Sequence, residues 1–487
     1  MNLLKTASKG IAWTTISTLT RSVVQLLQVA ILTRYLDKSD FGIVAIATLF
    51  LGFTQLFLDM GISAGILHKQ DTTSKQYSTL FWLNIITGTF LTLSICCISP
   101  IIADFYSEPK LIPIISILSF NIFFSALGSQ HRTVQQKKLR FKYLSIIEII
   151  SSILTLILAV ILVNLDFGIY SLIYSSLFHS ASSNITYLII GLYKDRNISF
   201  HFKFSESFPF LKIGVYTIGS QILDYFSREL DLIIISSTLS KESLGIYSLC
   251  KKIVLAIFSS INPIITKVLT PILATMQNEL VKIRNAYYNI VESLALINYP
   301  IYILIAIFSF GILNYIYGNQ YVEGNNVLAI LALTYGLNTT GNPVGSLQIA
   351  TGRTDSGFYW TIVRIIVNTI GIYIGAQYGI NGLALGMLIT TILINPIFWK
   401  ITIYPLIGGK YTYYFKITIL PMILLLLISL PLYIFCNKYT NVLLCLSIGA
   451  IYIIFYCFII YKLYPNNYLS EIVAKQILTV TNKIIKK

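Results

Sequence analysis

The sequence predicts an all-α integral membrane protein of about fourteen transmembrane helices, and three observations lead there. Composition is the first: 55% of residues are hydrophobic and 11% are charged, with mean hydropathy +0.75, whereas soluble domains carry roughly 25% charged residues. The second is the recurrence of mostly apolar runs of about 20 residues, the length a helix needs to cross a bilayer. The third is a parallel internal repeat that lays span 1 on span 7, the pattern of a pseudo-two-fold axis along the membrane normal. The net charge of +16 resides in basic residues between the apolar runs. That favours cationic cytoplasmic loops over nucleic-acid binding.

Taken in order, the first run, 11–33, is too long for a signal-peptide core and lacks a small-residue cleavage site, so it is a retained span. Five more follow at 41–60, 78–100, 111–129, 144–163 and 169–192, joined by short links that Gly, Pro, Asn, Asp or Ser often punctuates. Span 7, 211–236, is apolar at both ends and charged in the middle. Spans 8 to 12 are expected at 245–268, 290–312, 327–350, 358–376 and 381–403, with Pro263, Pro300, Pro343 and Pro396 inside them as kinks that permit hinging. Spans 13 and 14, 417–435 and 441–461, complete the series. The tail after Pro465 places Leu469, Ile472, Val473, Ile477, Val480 and Ile484 among lysines and reads as an interfacial amphipathic helix.

Basic residues crowd alternate links, with Arg132, Lys137, Lys138, Arg140 and Lys142 in one and Lys194, Arg196, Lys203 and Lys212 in another. The opposite links are often acidic, at Asp104, Glu108, Asp166 and Glu323. The bias orients both termini to the cytoplasm. The six cysteines have neither metal-ligand nor disulfide-framework spacing and the four histidines are scattered, so neither a metal nor a cofactor is expected.

A shift of 203 residues places Lys9 on Lys212, Leu36 on Leu239, Lys38 on Lys241, Gly42 on Gly245 and Ile43 on Ile246, a small set of matches for which chance identity is the alternative. The same shift carries Arg21 to Asp224, Gln25 to Arg228 and Gln28 to Asp231. Both triplets are spaced i, i+4, i+7, one face of a helix. An ionised side chain at mid-bilayer costs roughly 2.5–3.5 kcal/mol on insertion scales. Asp224, Arg228, Glu229 and Asp231 therefore point to the wall of a protein-enclosed, water-accessible cavity. The helical spacing lets Arg228 reach both Asp224 and Asp231. An internally neutralised ion group that locks helix packing is the alternative. Glu229, about 100° away around the helix, is an inter-helix partner or a separate ion-coupling site.

Arg21 stands near the middle of span 1 with no acidic neighbour on its own helix. It calls for a carboxylate across the cavity or for an anionic ligand, which a guanidinium can bind bidentately. Arg364 in span 11 raises the same two options. Lys251 and Lys252 can snorkel to the interface. Interfacial placement accounts for Glu148 and Glu292. No Gly-rich phosphate loop or Ser/His/Asp arrangement stands out, and the outer links are short, which favours transport over catalysis.

The stretch LDYFSRELDLIIISSTLSKESLGIYSLCKKI, with the opening KGIAWTTISTLTRSVVQLLQVAILTRYLDKSDFGIVAIA, resembles the polysaccharide transporter branch of the MOP flippase superfamily. It resembles in particular the Wzx-type exporters of lipid-linked sugar repeat units similar to the colanic acid exporter. TPILATMQNELVKIRNAYYNIVE, IYGNQYVEG and TGRTDSGFYW extend the resemblance over nearly the whole chain. It implies two six-helix lobes, here 1–200 and 201–403, plus a terminal helix pair with the tail in 404–487. It also implies alternating access in a bacterial inner membrane and an undecaprenyl-diphosphate oligosaccharide as substrate, moved to the outer leaflet.

Arg21 matches the span 1 arginine of the family pattern, and Arg228 with Asp231 its span 7 SRxxD. Ile233–Ser236 and GIYSLCKK depart from the pattern and bear on substrate identity more than on fold. The expected pathway is Arg21, Gln25, Gln28, Asp224, Arg228, Asp231 and Arg364. Membrane lipids, a polymerase and glycosyltransferases are the expected partners, and nucleic acid is not one. A cation-coupled multidrug antiporter of the same superfamily and a membrane glycosyltransferase or polymerase are the alternatives.

Overall fold

A computed structural model describes residues 3–436 apart from 70, 195–198, 277–278 and 354, together with Gly449, Tyr452 and Tyr456. Apart from those last three residues, span 14 and the amphipathic tail lie outside the described residues. The described chain is helical, and it divides into two compact units, Met1–Leu249 and Cys250–Lys487.

The first unit contains α1 (Leu3–Leu32), α2 (Lys38–Asp59), α3 (Ile62–His68), α4 (Ser74–Phe105), α5 (Leu111–Lys137), α6 (Phe141–Asn164), α7 (Tyr170–Lys194), α8 (Phe208–Thr238) and the start of α9 (Lys241–Thr275). Local chemistry sets the ends of these helices. Thr73 and Gln76 exchange side-chain and backbone hydrogen bonds at the start of α4, at 3.3 and 3.2 Å, a reciprocal cap that satisfies two orphan donors. Met60 and Gly61 both adopt positive φ, 43° and 70°, and separate α2 from α3. Asp59 then accepts the Ser63 hydroxyl at 2.5 Å and its N–H at 3.2 Å, holding the first turn of α3.

Within this unit α1 packs on α6, α6 on α7, α7 on α5 and α5 on α4, while α8 lies against α2 and α3. Small residues permit the closest approaches. A Cβ on Gly42 of α2 would stand 2.0 Å from the Lys241 carbonyl oxygen, and a Cβ on Gly245 of α9 would stand 2.0 Å from that of Lys38. These are the residues that the internal repeat pairs, so the helix starts of spans 2 and 8 grip each other reciprocally. Spans 1 to 8 all fall on described helices, and several of these, such as α4 and α5, extend past the apolar runs because helices continue into the interfacial zone.

The second unit holds the rest of α9, then α10 (Leu280–Ile307), α11 (Ser309–Ile316), α12 (Asn325–Thr339), α13 (Pro343–Thr351), α14 (Asp355–Ala376), α15 (Gly379–Leu393), α16 (Asn395–Phe398), α17 (Tyr404–Ile407) and α18 (Tyr411–Cys436). α10 packs on α12 and α18. α14 and α15 form a hairpin in which Gly371 meets Gly386 and Gly375 meets Gly382, each close to the other's carbonyl oxygen, the approach small residues allow between membrane helices.

Three expected spans are interrupted, 290–312 at Phe308 between α10 and α11 and two others near prolines. Span 327–350 breaks before Pro343, which opens α13. Span 381–403 bends by 43° where Pro396 begins the segment Asn395–Ile407. Proline lacks the N–H that would continue the ladder and suits a helix start. Pro300 stays inside a continuous α10. Among the described residues, nine helices are long and apolar enough to cross a membrane, and the bent pair makes a tenth. α8 is not one of the nine, because its charges interrupt the apolar run. The chain is a multi-pass, all-α membrane protein.

Candidate functional site in the first unit

The polar residues of α1 find their partners on its neighbours. Arg21 reaches Glu148 of α6, Nη1 to Oε2 at 3.6 Å, and Arg132 of α5 approaches the other carboxylate oxygen, Nη2 to Oε1 at 3.6 Å. From α7, Tyr187 donates its hydroxyl to Glu148 Oε1 at 3.1 Å, and His179 Nε2 lies 3.9 Å from Oε2. The His179 Nδ1 is 3.4 Å from the Thr155 hydroxyl. Glu148 is thus a half-buried hub with its side chain 13% exposed, while the two arginines remain 54% and 47% exposed.

The two guanidiniums and the tyrosine hydroxyl all converge on the Glu148 carboxyl group. Two positive charges face one negative, so with a neutral histidine the cluster keeps a net positive charge and two accessible guanidinium forks. That arrangement can hold an anion with paired oxygens. Farther along α1, Gln25 is exposed and Gln28 donates to the Ser175 hydroxyl of α7 at 2.9 Å.

The charged residues expected on α8 lie along Phe208–Thr238. Arg228 Nε donates to its sequence neighbour Glu229 at 3.1 Å and its guanidinium lies 6.0 Å from the Tyr225 ring centre. Asp231 is 2% exposed and accepts the Tyr247 hydroxyl of α9 at 2.8 Å, together with the Leu232 N–H at 2.8 Å. Asp224 is exposed. Glu229, expected about 100° off the face, is reached because an arginine side chain spans that arc. Tyr225 fastens α8 to α2 by donating to the Leu49 carbonyl at 2.5 Å, where Gly52 leaves room for its ring. Arg364 is half-buried on α14, in the second unit.

Sequence reasoning missed Glu148, Arg132, His179, Tyr187 and Tyr247. Arg132 read as a loop cation because the apolar run stops at 129, yet α5 continues to Lys137. Glu148 read as interfacial. The available signal was Arg21 itself, which called for a carboxylate from another helix.

At the opposite end of the unit, Lys241 Nζ meets Glu108 at 2.7 Å. Burial pushes the Glu108 carboxyl up, but the Lys241 hydrogen bond and charge outweigh it and hold the group below its usual range. Among the described residues no group of His, Cys, Asp and Glu is placed to hold a metal ion.

This architecture recurs in solved structures. The lipid II flippase MurJ in an inward closed conformation superposes with TM-score 0.71 at 15% identity, covering 93% of this chain and 99% of that one. An inward-facing multidrug resistance transporter of the MATE family, in the MOP superfamily, gives 0.65 at 13% identity over 79% and 96%. In sequence, the teichuronic acid biosynthesis protein TuaB of Bacillus subtilis is 30% identical over 78% of each chain. The lipopolysaccharide biosynthesis protein WzxC of Escherichia coli is 26% identical over 88% of this chain and 87% of its own. The family model described as polysaccharide biosynthesis protein matches residues 31–326. That match spans more than half of the sequence, and the chain belongs to the polysaccharide biosynthesis protein family.

Proposed function

We propose that this protein is a flippase that moves an undecaprenyl-diphosphate-linked oligosaccharide repeat unit from the cytoplasmic to the outer leaflet of a bacterial inner membrane. Its product feeds O-antigen, capsule or exopolysaccharide synthesis. The relatives are named for polysaccharide pathways, and a protein of the same fold is named a lipid II flippase. The observation that carries the substrate class is the pair of half-exposed guanidiniums, Arg21 and Arg132, anchored on Glu148.

Both termini are cytoplasmic in this reading, which puts Glu148 and Arg132 in the cytoplasmic halves of α6 and α5 and Arg21 near the middle of α1, so a diphosphate headgroup loads from the cytoplasmic side. Arg21 and Arg132 bind the diphosphate. Gln25 and Gln28 hydrogen-bond sugar hydroxyls. Asp224, Arg228, Asp231 and Glu229 line or brace the path on α8, with Arg364 a further anion contact. Rocking of two lobes, divided near residue 200, alternates access, and the terminal segment from 404 is an appendage. A polymerase and glycosyltransferases act on the same lipid-linked unit before and after it, and no bond is made or broken by the flippase itself.

Arg21→Ala is expected to abolish surface polysaccharide and accumulate the lipid-linked unit on the inner leaflet, with the protein still inserted. Arg21→Lys restores part of the export, since an ammonium supplies charge without the fork. Normal polysaccharide in the alanine strain would refute the headgroup role. Altered drug susceptibility with unchanged lipid-linked sugar would support a multidrug antiporter instead.

A further inference from the structure

The first unit carries a cavity with polar and apolar walls at the end remote from the Glu148 cluster. It encloses about 430 Å³, inside the range of about 300–1,000 Å³ typical of small-molecule pockets. The ends of α4 and α8, the start of α9 and the turn after α4 form its walls. Ser107, Ser236, Ser237 and Ser240 contribute hydroxyls, and Phe105 and Tyr106 contribute rings. For a chain with 55% hydrophobic residues this is a dense set of hydroxyls.

Their hydrogen bonding defines what fits. Ser236 donates to the Ile233 carbonyl at 2.9 Å, and Ser237 donates to those of Ile233 and Ile234 at 3.2 and 3.0 Å. With their protons committed to the helix, these two oxygens accept: Ser236 faces the Tyr106 hydroxyl, and Ser237 offers its lone pairs to a ligand that donates. Lys241 is already neutralised by Glu108, and the Glu242 carboxylate lies beside it. A net anion gains nothing there.

The Phe105 ring is 72% exposed and stands edge-on to Tyr106 at 5.0 Å between centroids, an apolar face next to the hydroxyls. Tyr106 is itself fixed, by an oxygen–oxygen contact of 3.1 Å with Ser236. Ser107 turns the chain with φ +48°, a conformation that disfavours a residue with a side chain. Local strain of this kind is held where surrounding structure demands it, often at ligand sites.

We propose that this cavity is a binding subsite for neutral hexose units, which receives the saccharide of the substrate at the outer face. A pyranose ring offers hydroxyl donors for the Ser237 oxygen and an apolar C–H face for Phe105. The inference rests on the flippase reading and its orientation. The diphosphate engages the guanidiniums at the inner end, and the sugars alone meet the outer cavity. The site therefore discriminates by glycan length.

The test is flipping by the full chain in proteoliposomes, with undecaprenyl-diphosphate bearing either the complete oligosaccharide or a single sugar. Ser237→Trp, which fills the cavity, is expected to slow the oligosaccharide form at least tenfold and to leave the monosaccharide form at the wild-type rate. Phe105→Ala, which empties one wall, is expected to slow the oligosaccharide form several-fold. Equal slowing of both substrates in both variants, or no slowing of either, would overturn the subsite while leaving the flippase reading intact. A wild-type protein that flips neither substrate would overturn both.

Discussion

Asp231 shows why an intramembrane charge has to be judged by its partners. At 2% exposure it is packed away from the surface. It ties α8 to α9 through the Tyr247 hydroxyl at 2.8 Å. A hydrogen bond to a charged acceptor contributes about 1.5–3 kcal/mol, because its loss leaves a buried carboxylate short of a donor. Tyr247→Phe removes one oxygen and nothing else, so thermal unfolding in detergent should show a loss of that size. Asp231→Asn in the same background should then cost less than it does alone. Additive losses would mean that the pair does not act as a unit. Glu148 is the contrasting case, a carboxylate whose arginine partners stay half-exposed. The sequence could not separate the two, since spacing along one helix says nothing about neighbours from other helices. Arg21 revealed its need for an anion, whereas the identity of Glu148 as that anion depends on how α6 turns toward α1.

At the level of elements, the apolar runs located the described helices well, because a bilayer-length hydrophobic stretch has few other solutions. The ends were less legible. Helices such as α4 and α5 run past their apolar cores into polar segments, where caps and the interface decide. The breaks before Pro343 and at Pro396 were signalled by those prolines, but Pro300 carries the same signal inside an unbroken helix. Proline marks where a break is allowed, and the surrounding packing selects among them.

The turn between α4 and α5 is held to α9 by the Glu108–Lys241 pair, and its pH dependence has a definite sign. The folded carboxyl sits below its ordinary value of 4.5. The contribution is therefore complete above that value and disappears as pH falls through the lower, folded one. Wild-type protein should lose thermal stability relative to Glu108→Gln across that acid window, and the two should run parallel from neutral pH upward. Parallel curves throughout would show that the ion pair adds nothing.

For the molecule as a whole, the internal repeat is the property that the sequence offered most faintly, in a handful of identities. The reciprocal contact of Gly42 with Lys241 and of Gly245 with Lys38 supports it physically, because residues paired by a pseudo-two-fold axis meet each other's equivalents. A symmetric contact makes a symmetric prediction. Adding a methyl group at either glycine forces it against a carbonyl oxygen that would lie 2.0 Å away, and overpacking of this kind costs about 1–3 kcal/mol. Gly42→Ala and Gly245→Ala should therefore lower stability by similar amounts. The double variant should lose less than the sum, because the first methyl group already separates α2 from α9. Gly311, where an added methyl group would meet nothing within 4 Å, supplies the control. Alanine there should be neutral or stabilising by up to about 1 kcal/mol, since it restricts the unfolded chain. Thermal unfolding of the four variants in detergent measures all of this. A destabilising Gly42→Ala beside a neutral Gly245→Ala would mean that the contact is not reciprocal and that the repeat does not organise the outer end. Equal and sub-additive losses would make this contact the place where a rocking motion has to part the two repeats.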